Sequence, residues 1–357
     1  MSGQRESQKY VISFLIVMMV SLTVSAISEN INAVSAADDS VEILLILDHD
    51  YGGNVPPIIT IFERYGWDIT TTALNQTVSS CNYLGNEVMI VDILMTEISD
   101  VTQFDAISIM PGNSHDLLRT NQTCFDLINA AMDADVVVSA WCRAVRVLAA
   151  ADIIDGKTIT GNADYETEYV AAGATFNELV PPVIDGNLVT GVRSRYYREE
   201  MCQAIATAIG VFESDAPVLQ SAIVTPSPYI VGTNFTLTAT FTDATGTYLA
   251  NVKIFKLNDT TGERLSGVPV QHFALDETTT EGVFSGGIED LEIGNYTIDL
   301  EVWDVYMNEA VYSDGLNLLV IEQTTTPNPI EPMQWILPGA AGGIIGVIVI
   351  VVVLRRR

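Results

Sequence analysis

The sequence predicts an α/β three-layer sandwich over residues 38–214, followed by a small all-β sandwich over 216–322. Three observations predict it. Short apolar runs alternate with helix-period stretches as far as Gly210, the helical period then disappears, and strongly apolar segments close the chain at both ends. Alternating strands and helices imply a parallel sheet covered on both faces. Short alternating segments between Gly, Asn, Asp and Thr turns imply antiparallel strands.

The elements follow in order. "VEILLILD" is a continuous apolar run, as a strand buried on both faces requires. "VPPIITIFERYG" reads as a helix opened by Pro56 and Pro57 and ended by Gly66. "WDITTTAL", "EVMIVD", "FDAISIM" and "DVVVSA" supply further strands, and helices follow "PGNSHDLLRTNQ" and Cys142. Beyond "FESDAPVLQS" the segments "NFTLTATFTD", "ANVKIFKLND", "GNYTIDLEVWDVYM" and "LNLLVIE" suit an immunoglobulin- or fibronectin-like module.

Both ends predict membrane targeting. Arg5 and Lys9 precede an apolar run and the small residues near Ala36, the order of a signal peptide over 1–36, with an uncleaved anchor as the alternative. A Pro/Thr linker over 323–334 leads to the uncharged stretch Trp335 to Leu354, long enough to span a bilayer, and to a basic tail over 355–357. The positive-inside rule puts this tail in the cytoplasm, so the expectation is a single-pass cell-membrane protein with an extracellular ectodomain. Asn75, Asn121, Asn234, Asn258 and Asn295 begin sequons, permissible glycan acceptors in such a chain.

A net charge of −29, from 45 acidic and 16 basic residues, repels phosphate backbones and argues against nucleic-acid partners. Four cysteines (Cys81, Cys124, Cys142 and Cys202) are too few for a disulfide scaffold, though a single bridge among the three other than Cys142 stays open. No Cys-x-x-Cys or His-x-x-x-His spacing occurs, and no metal or cofactor is expected.

Cys142 stands where the apolar strand "VVVSAW" turns into a helix, a place that suits either a nucleophile or an inert packed thiol. Several stretches set it in a wider pattern: "FDAISIMPGN", "DLLRTNQTCFDLI", "VVVSAWCRAVRVLAAADIIDGKTITG", "VAAGATFNELVPPVIDGNLVTG" and "YYREEMCQAIATAIG". In this order they resemble the ThiJ/PfpI family of the class I glutamine amidotransferase-like superfamily, over roughly Val41 to Gly210.

The resemblance implies a flavodoxin-like fold, with Cys142 as the elbow cysteine at a helix N-terminus. There the helix dipole and Arg143 are expected to depress its pKa below the ~8.5 of a free thiol. It also implies an oxyanion pocket near Gly112 and Asn113, and a homodimer. The sequence departs from the family at three points. Arg143 stands where His is usual, Asn113 replaces the second glycine of the Pro-Gly-Gly turn, and the family's Glu falls near Tyr51, with Asp48 and Asp50 close by. His115 and Asp50 are the candidate replacement bases.

Two functional readings follow. One is a surface protein with a degenerate cysteine site, binding a small molecule or surface partner, or responding to oxidants and electrophiles. The other is an exported hydrolase, peptidase- or glyoxalase-like, using Cys142 as its nucleophile. A purely structural surface role is the third.

Overall fold

The computed structural model describes residues 40–322. The signal peptide expected over 1–36 lies outside them, as do the linker, membrane span and basic tail expected over 323–357.

The N-terminal part is built on β1 (Glu42–Ile46), α1 (Val55–Arg64), β2 (Asp68–Ala73), β3 (Ile93–Leu94), β4 (Ala106–Ile109), α2 (Gln122–Asp133) and β5 (Val137–Trp141). It continues through α3 (Val145–Ala150), α4 (Glu166–Ala171), β6 (Val183–Asp185), β7 (Leu188–Gly191) and α5 (Arg198–Ile209). The sheet order is β6-β7-β5-β4-β1-β2-β3, parallel except where β6 runs against β7. The apolar run of β1 is buried on both faces because each face has its own helices. Leu44 and Ile46 join the core that holds Cys124, Ile128, Val145 and Leu148 of α2 and α3. Ile43 and Leu45 join the one that holds Ile58 and Phe62 of α1 and Cys202 and Ile205 of α5. The stretch "EVMIVD" does not join the main sheet as a strand: Val88–Ile90 pairs with Thr77–Ser79 in a side hairpin, and it is the residues just after it, Ile93–Leu94, that reach the main sheet.

The C-terminal part is separate and all-β. Its strands are β8 (Val218–Thr225), β9 (Tyr229–Ile230), β10 (Phe235–Thr242), β11 (Thr247–Lys256), β12 (Gln271–Glu277), β13 (Val283–Ile288), β14 (Gly294–Asp304) and β15 (Glu309–Ile321). They form one eight-stranded sheet in the order β8-β10-β13-β12-β11-β14-β15-β9. The sheet curls toward closure. Tyr312 of β15 donates its hydroxyl to the Pro217 carbonyl at 2.7 Å, and its oxygen accepts from the Leu219 N–H at 2.9 Å. The alternation seen in the sequence fills this near-barrel with Leu237, Phe241, Val252, Ile254, Phe284, Ile298 and Leu300.

The β14–β15 turn joins the two parts. Tyr306 is only 4% exposed and packs with Phe62, Trp67 and Met201 of the α/β core. Its ring lies 4.5 Å from that of Tyr65 and 5.2 Å from that of Phe212, centroid to centroid. Arg64 Nε donates to the Val305 carbonyl at 2.8 Å, and Gln203 Nε2 to the Tyr306 carbonyl at 2.6 Å.

The membrane partner is corrected. Among the described residues no helix is long and apolar enough to cross a membrane. Anchoring by a C-terminal helix has no support here and forms no part of the functional reading.

Candidate functional site

Strands β4 and β5 end side by side, and the loops that follow them build the site. Strand β5 runs into a tight turn in which Cys142 takes φ +58°, a left-handed conformation that is strained for a residue with a Cβ. A 3₁₀ turn over Cys142–Ala144 separates it from α3, which has only 6 residues. The Cys142 carbonyl accepts from the Asn162 N–H at 3.3 Å, which fixes the back of the elbow.

After β4 the chain passes through Pro111, Gly112 and Asn113. Tyr51 bridges Gly112, with the Gly52 N–H donating to the Pro111 carbonyl at 2.8 Å and the Asn113 N–H to the Asp50 carbonyl at 3.0 Å. A Cβ at Gly112 would sit 3.1 Å from the Asp50 carbonyl oxygen and 3.4 Å from the His115 ring, so glycine permits this approach. The Asn113 N–H is therefore already engaged, which removes it as the oxyanion donor the family resemblance implied.

Cys142 opens onto a pocket of about 260 Å³. Gly52, Asn54, Tyr83, Pro111, Gly112 and Asn113 line one side; Arg143, Asn162, Arg193, Ser194 and Arg195 line the other. Arg143 reaches across the mouth and donates from Nη1 to the Asn113 carbonyl at 3.1 Å. Behind the wall, Arg198 Nη2 donates to Asn54 Oδ1 at 2.5 Å.

Burial pushes the Cys142 thiol above its ordinary range, against the expected depression. The Arg143 N–H and the charges of Arg143 and Arg193 pull it back down, and the Asp164 carboxylate adds to the rise. The expectation fails because the helix beneath is short and begins three residues on, while desolvation acts on the sulfur directly. The other three thiols are fully buried, and all four are free, so no disulfide forms. Desolvation drives Cys124 up to about 12 and Cys202 well above the thiol range.

The candidate bases lie elsewhere. His115, 2% exposed with φ +83°, folds back beneath Gly112 rather than into the pocket. Its Nε2 lies 2.9 Å from the Met110 carbonyl; as a carbonyl only accepts, Nε2 carries the proton and Nδ1 has no partner. Desolvation holds its pKa below the usual imidazole range; the charge of buried Asp48 opposes that fall and the charge of Arg146 adds to it. Asp50 has φ +61°, contributes its backbone carbonyl to the Gly112 bridge, and does not line the pocket. Tyr51, at the position expected for the family's Glu, is buried and absent from the pocket wall.

The sequon residues are spread over the surface. Asn75 and Asn234 are exposed. Asn121 caps α2, accepting from the Thr123 and Cys124 N–H groups. Asn258 accepts from the Thr260 and Thr261 N–H groups, and Asn295 donates to Asp259.

Among the described residues, one group brings three potential metal-ligand atoms within 4.8 Å of one another: Glu213, Asp243 and Asp304. None of them lines the Cys142 pocket.

The sequence reading missed Arg193, Ser194, Arg195 and Arg198 as site residues. Their signal was "VRSRYYRE", a cluster of arginines in a chain otherwise poor in them.

A strained elbow cysteine at the end of a central parallel strand, facing a Pro-Gly turn, defines a cysteine-elbow protein on a doubly wound sheet. Residues 49–207 match the model of the DJ-1/PfpI family, and the N-terminal part is a DJ-1/PfpI domain of flavodoxin-like α/β fold. The chain is similar to the "Putative cysteine protease YraA" of Bacillus subtilis (strain 168), 28% identical over 132 residues, 37% of this chain and 76% of that protein. It is also similar to "Protein DJ-1 homolog D" of Arabidopsis thaliana, 27% identical over 114 residues, 31% of this chain but only 29% of that one. Among solved structures, the ThiJ/PfpI domain protein from Brachyspira murdochii matches at 19% identity and a TM-score of 0.43, over 48% of this chain and 96% of that chain.

Proposed function

We propose that the DJ-1/PfpI domain binds a small ligand and traps oxidants or electrophiles at Cys142, without efficient turnover. One observation carries this reading: among the described residues, no imidazole or carboxylate lines the pocket that holds the thiol. A hydrolase needs a group that takes the nucleophile's proton and returns it to the leaving group. A guanidinium, the group that Arg143 places beside the cysteine, is not a general base and cannot do this.

Trapping needs less. A Cys142 thiolate attacks a hydroperoxide oxygen, the O–O bond breaks, and hydroxide or alkoxide leaves with the electron pair. The sulfur is oxidised to a sulfenic acid and the peroxide is reduced. Arg143 and Arg193 favour the thiolate electrostatically, and exposure separates Cys142 from the other three thiols.

The similarity to a protein named as a cysteine protease favours the hydrolase as the second reading. The two part on stoichiometry. Treated with hydrogen peroxide or iodoacetamide, the full chain is expected to take up one equivalent at Cys142, read by peptide mass, and to lose it in Cys142→Ser. Peptide, ester and methylglyoxal turnover is expected at background. Sustained turnover abolished by Cys142→Ser would overturn the trapping reading.

A further inference from the structure

Eleven of the sixteen basic residues fall within 40–322. Seven of these make ion pairs: Arg64, Arg119, Arg146, Lys157, Lys253, Lys256 and Arg264. The other four are Arg143, Arg193, Arg195 and Arg198. Three of them line the Cys142 pocket, and the fourth holds Asn54, which also lines it.

In a chain with 45 acidic residues, a cation finds a carboxylate almost anywhere. Four that make no ion pair among the described residues, gathered at one cavity whose described lining contains no carboxylate, form a positive site in a negative protein. The arginines are also held in place. Arg143 is tied to the Asn113 carbonyl, and Arg195 donates to the Tyr196 hydroxyl at 3.1 Å with its guanidinium over that ring. Between them stand neutral hydrogen-bonding groups, namely Asn54, Asn162 and Ser194.

We infer that this pocket recognises a small oxyanion, a carboxylate or a phosphate, and that Cys142 reacts preferentially with electrophiles carrying one. Planar guanidinium groups bind both oxyanions with paired hydrogen bonds. A cavity of about 260 Å³ admits only a small molecule. The inference rests on the trapping reading for its chemistry, but the anion site stands without it.

The test uses two alkylating reagents that differ in charge, iodoacetate and iodoacetamide. In both, the Cys142 sulfur attacks the methylene carbon, the C–S bond forms, and iodide leaves with the C–I electron pair. The thiol proton goes to solvent. The expected result is a ratio of iodoacetate to iodoacetamide labelling at Cys142 that falls by about tenfold or more in Arg193→Gln/Arg195→Gln, the size set by one charge-assisted hydrogen bond. Both arginines are exposed, so the double variant keeps its core. Inorganic sulfate and inorganic phosphate are expected to slow iodoacetate labelling more than chloride of equal ionic strength does. Protection by iodoacetate's unreactive analogue, acetate, marks the carboxylate arm, and protection by phosphate the phosphate arm.

An unchanged ratio, with no protection beyond that of chloride, would overturn the anion site. If neither reagent labels Cys142 but calorimetry shows sulfate binding that the double variant loses, the anion site stands and the reactive-cysteine reading falls. Absence of both labelling and sulfate binding removes both.

Discussion

Replacing Tyr306 by alanine tests how the two parts of the chain are joined. The side chain leaves the β-sheet unit at a turn and enters the apolar core under α1 and α5, where it is 4% exposed. Truncating a buried aromatic ring costs about 3–5 kcal/mol through lost transfer energy and the cavity left behind. Its hydroxyl also donates to the Val211 carbonyl at 3.3 Å, a bond worth about 1 kcal/mol. The backbone contacts from Arg64 and Gln203 to the same turn survive the change, and the surface at the junction partly closes over the gap. The net loss is therefore about 3 kcal/mol, toward the low end of the range.

At about 2–4 °C per kcal/mol for a unit of this size, the midpoint should fall by roughly 6–12 °C. Calorimetry on the full chain is the assay, with limited proteolysis of the connection near Glu213 as a second readout. Tyr306→Phe should lose only about 1 kcal/mol, since ring packing remains. A Tyr306→Ala chain that melts within about 0.5 kcal/mol of the native one, with unchanged proteolysis, would show that the turn merely rests on the surface.

Three further outcomes are expected. Because burial outweighs the arginines at Cys142, its iodoacetamide labelling rate should keep rising at pH values where a free thiol has levelled off, and Arg193→Gln should move the curve further up; a curve at or below that of a free thiol refutes this. Burial, and then the hydrogen bond shared with Asp304, push the Glu213 carboxyl above 4.5, so its stabilising contribution is full below that value and is lost as pH rises through the folded pKa. Glu213→Gln should therefore raise the melting midpoint at pH 7.5, and an unchanged or lowered midpoint counts against it. Burial lowers the His115 pKa, a contribution present above pH 6.5 and lost as pH falls through its lower folded pKa; imidazole NMR should find a titration midpoint below 6.5, and a midpoint of 6.5 or above would refute the placement.

What could be read in advance depended on distance along the chain. The β1 run announced burial on both faces because a parallel strand carries its own signature, and Cys142 was visible because strand, thiol and helix are consecutive. Local spacing misled at His115. It makes His115 a candidate base, but φ +83° turns the imidazole beneath Gly112. The strand-like "EVMIVD" pairs in a side hairpin instead of the main sheet, since pairing partners are set by tertiary placement rather than propensity. Arg193 and Arg195 gained their meaning only when β7 returned beside β5, bringing residues about fifty positions apart to one pocket. Tyr306 gave no periodic signal at all, being one side chain in one turn.

The arginines and the raised thiol pKa fit together once the range of each charge is considered. At physiological ionic strength the Debye length is about 8 Å, so most of the protein's negative charge is screened from a ligand already at the pocket mouth. Within that distance the guanidiniums of Arg143, Arg193 and Arg195 dominate, and two of them also offset the desolvation of the Cys142 sulfur. An anion that binds there neutralises the same charges that favour the thiolate. Inert oxyanions should therefore quiet the cysteine, both by occupying the pocket and by raising the cost of ionising it. An oxyanion carrying its own electrophilic carbon or peroxide escapes that penalty, because binding delivers the reacting atom to the sulfur and supplies proximity in place of thiolate population. Selectivity at this site then comes from which anions bring an electrophile with them, a choice that requires no general base.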